Sequence, residues 1–161
     1  MEEKRNFDLL TLGQVLLRLS PPNNDRLVRG DTFVKQVGGA ELNVAVGVAL
    51  LGLRTGVISK LPSHDMGSFM KGKIRSYGVS DDFFMYDDSP SARVGIYYYE
   101  NGAYPRKPKV IYDRANSSFY SLKIDEIPEK AYTASRCFHT SGITLALSPK
   151  VRETTIEMIK R

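Results

Sequence analysis

The chain has 161 residues, 42% of them hydrophobic and 25% charged, with a formal net charge of +5. That length supports one domain with a real core, and the composition is that of an ordinary globular protein. It excludes a membrane-spanning helix, because no apolar run approaches the ~20 residues such a span needs, and it gives no continuous basic face or motif for nucleic acid.

Residues 7–21, FDLLTLGQVLLRLSP, read as a strand-like run broken at Gly13. The PPNND stretch after it is a loop. DTFVKQV, residues 31–37, alternates and is expected to be a strand. A helix is expected over residues 41–51 and closes at Gly52. Its valines are weak helix formers, so burial must decide it. RTGVISKLP follows as a core strand. A second helix is expected over residues 66–77, with Phe69, Met70, Ile74 and Tyr77 near one face and Gly78 as its stop. This alternation indicates α/β with a largely parallel sheet.

The middle of the chain changes character. Residues 92–102, ARVGIYYYENG, and residues 109–114, KVIYDR, are β-rich and aromatic. The Gly- and Pro-bearing connection between them predicts a hairpin. With strands near residues 14–20 and 32–37 they can form a separate small sheet. After it, EKAYTAS predicts a short helix and CFHTSGITLAL a buried strand. Ser148 as N-cap and Pro149 at the first helical position then start a last helix, with Val151, Thr155, Ile156 and Ile159 on one face.

Several short matches carry nothing. GSFMKGKI approaches the phosphate-binding pattern, but Ile74 lacks the hydroxyl that pattern uses for Mg²⁺, and the segment lies within an expected helix. RGD at residues 29–31 and the Asn116-Ser117-Ser118 triplet need an extracellular protein. Cys137 is the sole cysteine, which rules out an internal disulfide and suits a reducing cytoplasm. With His139 it has no further ligands at zinc spacing. The start of the chain shows no signal-peptide pattern.

Two features hold functional promise. Gly38-Gly39 precede a helix N-terminus, where backbone N–H groups and the positive dipole end converge. The pair can cradle a ligand or only turn the chain, and Asn43 one turn on can both donate and accept. In the hairpin, alternation puts Tyr97 and Tyr99 on one face of their strand, and Tyr112 and Arg114 on one face of theirs. Such a face can bind a carboxylate through the guanidinium fork. It can equally be an ordinary packed hairpin.

Taken in order, LTLGQVLLRLSP, VGGAELNVA, LGLRTGVISKLPSHDMG, VGIYYYENG, VIYDRANSSF and FHTSGITLALS resemble the ribokinase-like (PfkB) carbohydrate kinases. The VIYDRANS element resembles their 2-keto-3-deoxygluconate kinase subgroup. The resemblance runs from residue 7 to the last residue. It implies a Rossmann-like α/β/α core with a small β-sheet lid, whose strands would be residues 14–20, 32–37, 92–101 and 109–114. It further implies ATP and Mg²⁺ as cofactors and a sugar or sugar acid as substrate. Gly38, Gly39, Asn43, Tyr97, Tyr112 and Arg114 would be the substrate-binding residues, and the lid a homodimer contact. Gln14 stands where many members have Glu, which puts a charge role there in doubt. The family's Gly-Ala-Gly-Asp turn, bearing the catalytic base, does not occur in these 161 residues. The chain therefore reads as the N-terminal part of a kinase, and alone it is expected to be inactive.

Overall fold

The computed structural model describes residues 6–161. It holds two four-stranded sheets. The first takes β1 (Phe7–Leu12), β4 (Thr55–Pro62), β5 (Val79–Asp87) and β8 (Ser135–His139) in the order β5-β4-β1-β8, all pairs parallel. Its central strands β1 and β4 are buried nearly throughout because helices cover both faces. On one face lie α1 (Ala40–Leu50) and α2 (Asp65–Ser76), packed through Leu42, Ala45, Met70 and Ile74 onto Val57 and Leu61. The other face is covered by α4 (Pro149–Lys160) and the 3₁₀ turns before it, with Phe119, Leu122, Val151 and Met158 against Leu10, Leu12 and Ile58.

The second sheet is β3 (Val34–Gly38), β2 (Leu16–Ser20), β6 (Gly95–Glu100) and β7 (Lys109–Asp113), in that order. β6 and β7 form the antiparallel hairpin expected from their sequence, whereas β2 and β6 run parallel. Chain connectivity sets where the two sheets meet. The run 7–20 is one apolar stretch split at Gly13, so β1 ends in the first sheet and β2 begins in the second. β3 returns at Gly38 and α1 starts two residues later. Both crossings lie at the C-terminal end of β1, between its neighbours β4 and β8, which is where open α/β sheets bind ligands.

The start signal at Ser148 is realised: its Oγ accepts from the Val151 N–H at 3.2 Å, and Pro149 opens α4. Ser148→Ala is expected to cost about 1 kcal/mol, read as a lower urea midpoint at unchanged slope. Gly52 and Gly78 end α1 and α2 with φ of 86° and 79°. GSFMKGKI lies inside α2.

The structure adds one strand and corrects three expectations. β5 is a full strand of the parallel sheet, although Ser80-Asp81-Asp82 conceals it. It is an edge strand, paired only with β4 among the described residues, and Asp81 meets Lys71 and Arg75 of α2 there. The stretch 137–147 is not one buried strand. β8 stops at His139 and lies at the sheet edge, leaving Cys137 exposed, and α3 (Gly142–Leu145) follows with Ser141 capping it. EKAYTAS contains a single 3₁₀ turn, Glu129–Ala131. In α4 the buried face is Val151, Thr154, Thr155 and Met158, while Ile156 and Ile159 are exposed. The two threonines can go inward because their hydroxyls find acceptors, the Leu122 and Val151 carbonyls.

Candidate functional site

A cavity of about 310 Å³ opens between the two sheets, at the N-terminus of α1. Gly39, Ala40, Glu41 and Asn43 form its floor, and Tyr97, Tyr99, Tyr112 and Arg114 line it from the second sheet. Ile143 of α3 closes a third side. Five of the six residues singled out in the sequence thus converge on one space. The sixth, Gly38, does not line it. Gly38 is buried, and a Cβ there would lie 2.5 Å from the Tyr97 hydroxyl oxygen, so its role is to leave room for that tyrosine.

Gly39 has a different constraint. Its φ is 151°, a conformation L side chains rarely adopt, and an added Cβ would come within 2.6 Å of the Gln14 carbonyl oxygen. As N-cap of α1 it accepts from the Asn43 N–H at 2.9 Å. No side-chain capping bond forms at this N-cap, so this end of α1, which lines the cavity, is left with its positive dipole end uncapped by a side chain among the described residues.

The tyrosines are arranged by strand pairing. Tyr97 opposes Tyr112 across the hairpin, their ring centroids 6.0 Å apart and 34° between planes. Arg18 of β2 stacks on Tyr99, its Cζ 4.2 Å from the ring centroid. Burial pushes the Tyr97 phenol above its usual range, against a downward pull from the Arg18 guanidinium. The hydroxyl therefore stays protonated at neutral pH and can donate as well as accept.

Arg114 follows the last residue of β7, with Cζ 5.6 Å from the Tyr112 ring centroid. Its Nε donates to Gln14 Oε1 at 2.7 Å. Gln14, only 3% exposed, in turn donates from Nε2 to Ser117 Oγ at 2.6 Å and to the Arg114 carbonyl at 3.4 Å. Among the described residues, no carboxylate pairs with Arg114. Glu41 is the one carboxylate lining the cavity. It is buried, and its Oε1 accepts from the Ser141 N–H (3.1 Å), Ser141 Oγ (2.5 Å) and Thr144 Oγ1 (2.7 Å), which ties the turn after β8 to α1.

Sequence reasoning missed Glu41 and Ile143, and it noted Gln14 without giving it a place in the site. Gln14 lies in the Gly13 break between two strands, where period-2 alternation assigns no face. Glu41 looks like a helix-favouring first-turn acid, and only its contacts across 100 residues reveal another use.

The model of the pfkB family carbohydrate kinases matches residues 6–161. A 2-dehydro-3-deoxygalactonokinase of Haloferax volcanii is 39% identical over 153 residues, covering 95% of this chain and 47% of that protein. A 5-dehydro-2-deoxygluconokinase of Listeria innocua is 31% identical over 157 residues, 97% of this chain and 47% of its own length. The solved 2-dehydro-3-deoxygluconokinase of Thermotoga maritima superposes with a TM-score of 0.89 at 37% identity, over 94% of this chain and 46% of that one. The chain thus spans about half the length of the curated relatives it matches. No helix among the described residues is long and apolar enough to cross a membrane. A parallel sheet carrying a second sheet, a glycine pair at the helix N-terminus between them, and a family match over nearly every residue lead to one assignment: the chain belongs to the pfkB carbohydrate kinase family.

Proposed function

We propose that this chain forms the sugar-binding part of an ATP-dependent kinase for a 2-keto-3-deoxy sugar acid, with 2-keto-3-deoxygluconate as the first candidate. The observation that carries the reading is Arg114, a guanidinium at the cavity with no acidic partner among the described residues. A buried-side cation without a counter-charge suits an anionic ligand, and the planar fork matches a carboxylate. Tyr97, Tyr112 and Asn43 offer the donors and acceptors that sugar hydroxyls need, and the dipole end of α1 beyond Gly38-Gly39 adds a positive floor. Two of the relatives above have names that specify 2-dehydro-3-deoxy substrates, one gluco and one galacto.

In this reading the second sheet is the lid over the substrate. Its exposed edge residues Val34, Val110 and Ile111 support a homodimer contact through it. ATP and Mg²⁺ belong to the reading as the phosphoryl donor and its ion. Their binding residues are placed outside the described residues. Among the described residues no three His, Cys, Asp or Glu side chains are grouped to hold a metal. The one near match to a phosphate loop forms part of helix α2 and not a strand-to-helix loop. The single cysteine suits a reducing cytoplasm.

Titration of the chain with 2-keto-3-deoxygluconate, its galacto epimer and fructose, followed by ¹H–¹⁵N NMR, tests the proposal. Saturable binding of an acid, at least about tenfold tighter than fructose, is expected from one charge-assisted pair. Equal affinity for fructose would remove the sugar-acid assignment. The same sample is expected to show no ATP turnover, because phosphoryl transfer depends on positioned charge that these residues do not supply.

A further inference from the structure

The cavity contains a residue, Gln14, that bonds both the side chain and the carbonyl of Arg114. Gln14 Oε1 takes the Arg114 Nε–H at 2.7 Å, and Gln14 Nε2 is itself held by Ser117 Oγ at 2.6 Å. Gln14 is 3% exposed, so these bonds form away from water, where an unpaired amide is costly. A guanidinium can present either its side edge, Nε with one Nη, or its end, Nη1 with Nη2. With Nε engaged, the end-on fork remains. No protein group among the described residues takes it. The acceptor is also a neutral amide, so it fixes the guanidinium without cancelling its charge.

We infer that Gln14 is a positioning residue for substrate specificity: it locks Arg114 through Nε so that the end-on fork meets the sugar-acid carboxylate. The inference rests on the sugar-acid reading above and adds the residue that makes Arg114 selective. A free Arg side chain must be ordered on binding, and a pre-held one spares that entropy. The stacked Tyr112 ring limits one face of the guanidinium, and Gln14 limits the turning of its plane about Cδ–Nε.

The test compares wild type with Gln14→Leu, Gln14→Glu and Arg114→Ala, using 2-keto-3-deoxygluconate and its uncharged methyl ester. Gln14→Leu is expected to weaken acid binding about tenfold while ester affinity stays within about twofold. The Arg114 Nε–H resonance, identified by its loss in Arg114→Ala, should lose its protection from exchange in Gln14→Leu. Gln14→Glu keeps an acceptor, so it should retain that protection, but its carboxylate would cancel the charge of Arg114, so acid binding should stay weaker than in wild type. Unchanged acid binding in Gln14→Leu would overturn the inference. So would an equal loss for acid and ester, which would mean that Gln14 only supports the fold. If Arg114→Ala binds the acid as wild type does, the sugar-acid reading fails instead. Ser117→Ala removes the anchor of Gln14 and is expected to give the same acid-selective loss at smaller size. It serves if Gln14→Leu does not fold.

Discussion

Gly39→Ala is expected to destabilise the chain by about 3 kcal/mol and to abolish sugar-acid binding. Two costs combine. The backbone at φ of 151° is open to glycine and strained for alanine, by about 1–3 kcal/mol. The new methyl would also lie 2.6 Å from the Gln14 carbonyl oxygen, and backbone cannot rotate away as a side-chain tip can. Overpacking of that kind costs about 1–3 kcal/mol. Relief requires parting the 13–15 crossing from the start of α1. That displacement carries Gln14, and with it Arg114, away from the floor formed by Gly39 and Asn43. Urea unfolding measures the first effect and acid titration the second. A loss below about 1 kcal/mol with binding intact would show that the crossing relaxes freely.

Arg114→Ala is expected to leave the fold unchanged and to weaken acid binding by about 1.5–3 kcal/mol, the range for a hydrogen bond to a charged group. Arg114 follows an exposed strand, so its truncation opens no core cavity. Arg114→Lys should recover little, since an ammonium has no fork and no Nε to bond Gln14. Isothermal titration with the acid gives the magnitude. Because Gln14 acts through Arg114, Gln14→Leu added to Arg114→Ala should cost almost nothing more. Additive losses would place the two side chains in separate roles.

Much of the fold was legible because its signals are local. Ser148-Pro149, Gly52 and Gly78 set helix ends through the backbone of their own neighbourhood. The tyrosine alternation paired Tyr97 with Tyr99 and Tyr112 with Arg114, each on one face of its strand, since a strand's period is two, and the structure brings both faces to the cavity. β5 was not legible. Ser80-Asp81-Asp82 interrupt its apolar run, and the strand is held by pairing with β4 and by ion pairs from α2 to Asp81. The turn after β8 was misread for a similar reason. ITLAL has strand-like apolar content, but Ser141 caps a helical turn and Glu41 holds that turn from a distant helix.

By itself, then, the sequence determined the α/β class, the hairpin, the ends of α1 and α2, the start of α4 and the residue types available for a sugar acid. Tertiary structure alone decided that Gly38 seats Tyr97 while Gly39 meets the cavity, and that Gln14 faces Arg114. Each of these depends on a contact between segments far apart in the chain, 100 residues for Gln14 and Arg114. Local periodicity carries no information about such pairs. The packing of two sheets at the crossing after β1 brings them together.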